Sequence, residues 1–269
     1  MNPAEIDKTP ASKLLKSGTQ IAHDLVAESP TAMRLLSAQM PFSTFVKYTI
    51  WLHELYDTLE TSIQKLSSDP HLSPLSRLDV LARAPALKGD LTNLLSPSMR
   101  ERVLLKGDLP SSLENYRERI RTASGLQLAG HAYVRYLGDL SGGQIIQRKL
   151  GKAYKLEELD AKQFYDFPPL DPAQEYPANA AQVKKIKSWF RRSLDIIAQS
   201  VEEKTILIDE ASKAFIFNSD LFIDLEKHTV VAPELNQSGK EPVEESIRMS
   251  YVRVLVALLL LVVIGYWVL

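Results

Sequence analysis

Hydrophobic positions along the chain recur at helical spacing. Val183, Ile186, Phe190, Leu194 and Ile197 fall three or four residues apart, which makes the stripe of an amphipathic helix. The stretch 200–228 continues as helix. Phe42, Phe45, Tyr48, Trp51 and Tyr56 mark an aromatic-rich helix over 42–67. Leu14, Ile21 and Leu25 are expected on one face of a helix over 11–29, with Ser12 its candidate N-cap. Further helical patterns cover 75–83, 87–95, 111–124 and 126–150, and the runs "SSDPHLSP" and "YDFPPLDP" interrupt them. No stretch alternates with period two, and no repeat is found. The expected fold class is all-α: one helical domain over 11–231, after a disordered N-terminus at 1–10.

The pattern changes near the C-terminus. After Arg253 the chain reads "VLVALLLLVVIGYWVL" without a polar break. With Tyr251 and Val252 it nears the lower end of a membrane span, roughly 17–25 residues. Arg248 and Arg253 precede it, and Tyr266 and Trp267 lie near its far end, as at a membrane interface. The expectation is a polar linker at 232–250 and a C-terminal transmembrane tail helix at 251–269, with the bulk of the chain in the cytosol.

Composition narrows the chemistry. The chain of 269 residues carries 32 basic and 33 acidic side chains, so overall charge suggests no nucleic-acid partner. It has no cysteine, which excludes disulfides, Cys–zinc sites, Fe–S clusters and thiolate ligation of haem. The first residues lack a long apolar run, so no secretory signal is expected.

"YLGDLSGGQIIQRKL", Tyr136 to Leu150, has helical periodicity yet carries glycines at 138, 142 and 143. Each costs a helix about 1 kcal/mol against alanine. Gly138 and Gly142 share a face, and Gly143 widens the gap expected there. Close packing of a second helix would explain such a gap; so would a flat ligand lying against the backbone. Asp139, between the glycines, fits a structural pair with Arg135 or a carboxylate that orders water near a ligand. The histidines are at 23, 53, 71, 131 and 228, without the spacing of a multi-histidine metal site. His23, seven residues after Lys16 and on the same side, remains a possible single ligand. Lys184, Lys187 and Arg191 form a basic stripe that suits either solvent or a bound anion.

Taken jointly, these segments resemble a known family. "HAYVRYLGDLSGGQ" is similar to the distal-helix signature of the haem oxygenases. The resemblance extends to "SGTQIAHDL", "LHELYDTLE", "KIKSWFRRS" and "EASKAFIFNSDLF", and covers roughly residues 12–228, with 61–125 the loosest part. It implies haem b, at once cofactor and substrate, clamped between two helices. His23 would be the proximal iron ligand. Gly138 and Gly142 would cover the distal face, and Asp139 would organise distal water. Lys16, Lys187 and Arg191 match positions that hold the propionates, Tyr133 the tyrosine behind them, and Phe215 and Asn218 residues on the distal side. The implied reaction cleaves haem to biliverdin, carbon monoxide and ferrous iron. It uses O2 and electrons from NADPH through a reductase, for which cytochrome P450 reductase is the family expectation. The implied location is the endoplasmic reticulum membrane, held by lipid contact of the tail. Animal relatives place a glutamate four residues after the proximal histidine; here that position is Ala27, followed by Glu28. A non-enzymatic haem sensor or carrier, and a tail-anchored helical adaptor, are the alternatives.

Overall fold

Helices alone make up the regular structure of the described part of the chain. The computed structural model describes residues 2–97 and 109–229. The expected linker and membrane tail lie outside these residues. Among the described residues no helix is long and apolar enough to cross a membrane.

Twelve α-helices are named here in chain order: α1 Pro3–Lys8, α2 Ala11–Gly18, α3 Gln20–Ala27, α4 Pro30–Ser37, α5 Phe42–Lys65, α6 Leu78–Leu81, α7 Ala84–Leu94, α8 Ser111–Thr122, α9 Gly125–Gly138, α10 Gln144–Ala153, α11 Ala180–Ile197 and α12 Val201–Thr229. A π turn, Asp139–Gly143, joins α9 to α10 without a loop. The long α12 lies against α9 and also against α2, α3, α4 and α8, while α5 packs on α7, α8 and α9. All five residues of the α11 stripe are buried.

Four expectations change. The segment 1–10 is not wholly irregular: the Asn2 side chain accepts from the Ala4 amide at 3.1 Å, and Pro3 suits the first turn of α1. Buried Lys204 of α12 then donates to the Ile6 and Asp7 carbonyls at 3.1 and 2.8 Å. The helix expected over 11–29 breaks at Thr19, whose hydroxyl turns back to the Leu15 carbonyl at 2.7 Å. The break rotates α3 relative to α2, so Leu14 is buried while Ile21 and Leu25 are 80% and 70% exposed. Ser12 is not the cap of α2; its amide and hydroxyl bind Asp195 of α11 at 2.8 and 3.1 Å. Finally, α4 has no counterpart among the expected helices, although Ser29 caps it and Pro30 opens it.

Packing of α9 on α12 needs a small residue at one point. A Cβ on Gly130 would meet the Ala211 amide nitrogen at 3.1 Å and the Leu207 carbonyl at 3.2 Å. One residue on, the contact turns polar. Glu210 of α12 is buried and receives His131 Nε2 at 2.9 Å and two bonds from Arg119, both 2.6 Å. His131 is thus a structural histidine. Burial would raise the Glu210 pKa, but the bonds from His131 and Arg119 outweigh it and hold the carboxyl below its ordinary range.

Removing Glu210 strands two cationic or polar partners. Glu210→Ala should cost about 3–5 kcal/mol at neutral pH, as for a broken buried pair. Because the folded pKa is depressed, the stabilisation is present above the unfolded value, about 4.3, and is lost as pH falls. Thermal melts at pH 7 and pH 3 should show a large gap between wild type and variant at the higher pH and a smaller one at the lower.

Candidate functional site

The chemistry-bearing residues fall on elements that converge on α12. His23 is on α3, Gly138 and Asp139 are at the end of α9, and Phe215 and Asn218 are on α12 itself. Lys16 sits on α2, and Lys187 and Arg191 on α11, which packs against α2.

His23 is half-buried, and its ring stands edge-on to Phe215, with centroids 5.8 Å apart and planes at 82°. Phe215, expected with Asn218 on the distal side, thus also contacts the histidine ring. The carboxylate beside His23 comes from its chain neighbour: Nδ1 lies 3.0 Å from Asp24 Oδ1, which also accepts from Gln20 Nε2 at 2.7 Å. A histidine that donates Nδ1–H to a carboxylate presents the Nε2 lone pair outward, which is the state a metal needs.

The glycines behave differently from one another. A Cβ on Gly138 or Gly142 would meet nothing within 4 Å, so among the described residues no helix packs there. This removes the packing explanation of that pair. Gly143, expected to widen the gap, faces inward: its Cβ would lie 3.5 Å from Asp139 Cβ and 3.6 Å from the Tyr165 ring. The π turn spans this stretch. Such turns insert one extra residue into a helix and bend it, and they concentrate at functional sites.

Asp139 is buried beneath this open backbone. The Tyr56 hydroxyl donates to its Oδ2, Arg135 Nε donates to the Tyr56 oxygen at 3.3 Å, and Arg135 donates to Asn218 Oδ1 at 2.6 Å. Asn218 completes the chain by donating to the Ala214 carbonyl at 2.7 Å. Arg135 therefore reaches Asp139 through Tyr56 and through its charge, not as the direct pair that the sequence suggests. Burial pushes the Asp139 pKa up, and Arg135, Tyr56 and Arg83 oppose that rise only in part. Burial also pushes the Tyr56 phenol well up, which keeps it a donor. Tyr56 and Asp24 are the site residues that sequence reasoning misses. Asp24 has a signal in its adjacency to His23. Tyr56 has none, since its partner lies 83 positions away.

The cations gather as the basic stripe implies. Burial, then Arg191, lowers the Lys16 pKa; burial, then Arg191 and Lys184, lowers that of Lys187. Like charges held this close are relieved by an anion. Tyr133 lies half-buried on α9. Among the described residues no group of three His, Asp or Glu side chains is placed to hold a metal ion. A metal here would depend on one histidine. That donor set, an open cradle at Gly138 and Gly142, and a cationic edge fit a planar, dianionic metal macrocycle such as haem.

Comparison with known proteins agrees with this fit. The Heme oxygenase family model matches residues 9–224. Heme oxygenase 2 of Oryctolagus cuniculus is 29% identical over 240 residues, spanning 88% of this chain and 69% of that protein. The heme oxygenase of Takifugu rubripes is 31% identical over 237 residues, 86% of this chain and 77% of its own. The crystal structure of heme oxygenase-1 from the cyanobacterium Synechocystis sp. PCC6803, in complex with heme, superposes with a TM-score of 0.71. The two share 25% identity over 82% of this chain and 95% of that one.

The glycines differ measurably in what they do for the fold. Gly138→Ala should leave the protein as stable or raise its stability by about 0.5–1 kcal/mol, the usual helical gain over glycine. Gly130→Ala should destabilise it, because backbone of α12 stands in the way. Denaturant titration of both variants tests the assignment; the reverse order would return the packing role to Gly138.

Proposed function

The chain belongs to the heme oxygenase family, and on that premise we infer that its residues carry out oxidative cleavage of haem to biliverdin, carbon monoxide and ferrous iron. The observation that carries the inference is open backbone at Gly138 and Gly142 directly beside a buried carboxylate, Asp139. A sensor or carrier needs the open backbone but not the carboxylate and its chain of donors. The adaptor reading rests on helix packing at these glycines, where nothing among the described residues packs.

Bound haem supplies both the ring to be cut and the iron that activates O2. His23 holds the iron through Nε2 while Asp24 fixes the ring's tautomer at Nδ1. Lys16, Lys187 and Arg191 hold the propionates by charge-assisted hydrogen bonds, which sets the rotation of the macrocycle and hence the edge exposed to attack. Tyr133 backs that edge. Gly138 and Gly142 let the backbone approach the ring face, which excludes bulk water and crowds what binds there. Asp139 holds a proton-delivering water without touching iron, and Tyr56, Arg135 and Asn218 keep its carboxylate in place. Electrons come from NADPH through a reductase, with cytochrome P450 reductase the expected partner. The apolar C-terminal run anchors the chain in the endoplasmic reticulum membrane with its helical domain facing the cytosol. Support for this is the sequence pattern at 251–269 alone.

Three experiments test these assignments. His23→Ala should fold, still take up haemin, and lose turnover, with added imidazole restoring part of it; an unchanged haem spectrum with full activity would remove His23. Asp139→Ala should bind haem as before and release on the order of 10²-fold less biliverdin, while oxidation of a peroxidase dye by hydrogen peroxide rises. Asp139→Asn should keep more activity, since an amide still anchors water. Normal biliverdin release from well-folded Asp139→Ala would exclude the carboxylate. Deletion from residue 247 onward should move the protein from the membrane to the soluble fraction with its activity intact; an insoluble or haem-free product would contradict the anchor.

A further inference from the structure

The cations that face the propionates come from two helices far apart in the chain. Lys16 is on α2, and Lys187 and Arg191 are on α11. Their spacing depends on what fixes α2 against α11. Apolar contact presses the two together: Leu14 and Leu15 of α2 are buried, as are Ile186, Phe190 and Leu194 of α11, and the helices pack. Such contact is non-directional, so it holds one rod on the other without fixing its slide along the axis.

A directional contact supplies that constraint. Asp195 Oδ1 accepts from the Ser12 amide at 2.8 Å, and Oδ2 accepts from the Ser12 hydroxyl at 3.1 Å. Ser12 is the second residue of α2, so its amide is one of the first-turn donors that a helix leaves unmet. Pro10 stands at the N-cap of α2 and makes no side-chain capping bond. Asp195 therefore caps α2 from a different helix, with its carboxylate at the positive end of the α2 dipole.

The contact also has a register. Ser12 lies four residues before Lys16, and Asp195 four residues after Arg191, about one helical turn in each case. After burial, the charge of Arg191 is the largest cause that lowers the pKa of Lys16 and of Lys187, which places Arg191 near both. Position 12 thus meets 195 while position 16 meets 191, the order of two antiparallel helices. Both Asp195 oxygens serve Ser12. Among the described residues no ion pair joins Asp195 to Arg191, although the two have the spacing at which helical pairs form.

We propose that Asp195 is a positioning residue for haem: by capping α2 at Ser12 it sets where Lys16 stands along α11 relative to Arg191 and Lys187, and so which rotation of the ring the propionates select. A slip of α2 by one residue moves Lys16 by about 1.5 Å, whereas hydrogen-bond lengths span only about 0.5 Å. Apolar packing alone tolerates part of such a slip; a propionate bond does not. Asp195 touches neither iron nor ring. The competing account gives it a stabilising task alone, as for any helix cap. The proposal rests on the haem-cleaving reading for its ligand, and binding tests it apart from turnover.

Asp195→Ala, Asp195→Asn and Ser12→Ala in the full chain separate the accounts. The probes are haemin and haemin dimethyl ester, which lacks the propionate charges, each titrated into the haem-free protein by the Soret band. Wild type should prefer haemin. Asp195→Ala should weaken haemin about tenfold, as for loss of one hydrogen bond to a charged group, and leave the ester unchanged. Asparagine keeps an oxygen for the Ser12 amide and should restore most of the preference. Ser12→Ala loses only the hydroxyl bond and should fall between. The isomer ratio of the biliverdin released by Asp195→Ala should shift as well. The stabilising account predicts a lower melting temperature with the wild-type preference between the two probes. That preference, retained in folded Asp195→Ala, would overturn the proposal; if this variant does not fold, Ser12→Ala decides by the same measure. A wild type that prefers haemin but releases no biliverdin overturns the haem-cleaving reading and leaves this test standing. A wild type that does not bind haemin overturns both.

Discussion

One helix has to hold both walls of the site, and the rest of the structure depends on that constraint. α12 packs on α3, which carries His23, and on α9, which carries Gly138 and leads into Asp139. Successive residues of α12 face different neighbours because each step turns about 100°. Ala214 and Asn218 are buried, and Asn218 holds Arg135 of α9; Phe215, one step from Ala214, meets the His23 ring. The width of any gap between α3 and α9 is therefore set by contacts made by one rigid rod. That rod is itself fixed at several levels, by Lys204 on α1, Glu210 on α8 and α9, and Glu226 on α4. Gly130 permits a close approach of α9 to α12, so the glycine of α9 that packs tightly lies two turns before the pair that does not.

Charge burial is the second constraint. Asp139, Arg135 and Arg83 all lie inside a helical core, where an unpaired ion is expensive. The cost is offset by a network of bonds: Tyr56 links Asp139 to Arg135, Asn218 takes a further Arg135 bond, and three carbonyls take the Arg83 guanidinium. Such a network contributes specificity rather than stability, because partial satisfaction is worse than an apolar core. It also explains why burial fails to neutralise every group equally. Tyr56 is pushed away from ionisation and stays a donor, while Asp139 is raised by burial, opposed in part by Arg135, Tyr56 and Arg83, and accepts the Tyr56 hydroxyl at Oδ2.

Much of this is legible in the sequence, and what is hidden has physical reasons. The α11 stripe and the long α5 and α12 show their periods because each buries one continuous face, and the sequence period records that face directly. The break at Thr19 leaves no such record: threonine is an ordinary helical residue, and only its turn back to Leu15 separates α2 from α3. That break exposes Ile21 and Leu25, which periodicity places with Leu14. The role of His23 comes from the family resemblance, but its carboxylate partner does not; the resemblance points to the position of Ala27, and geometry supplies Asp24. Long-range partners such as Tyr56 to Asp139 and Asn218 to Arg135 are set by helix packing, which periodicity does not encode.

The weakening of a helix by three glycines has two separate causes. Gly143 is turned into the protein, against Asp139 and Tyr165, where a larger side chain would crowd the buried carboxylate. Gly138 and Gly142 are turned outward, where nothing among the described residues needs their smallness. A helix tolerates that loss when its ends are held by other means. α9 has a capping box at its start, with the Ser124 amide donating to the Gln127 side chain at 2.9 Å. α9 is also pinned along its length by Glu210 and by the Arg135 bonds. Stability is concentrated in the first three turns of α9, and its end is left free to bend through a π turn. Selection for stability alone would place alanine at 138 and 142. Their presence as glycine is a cost that only something outside the described residues, lying against that backbone, can offset.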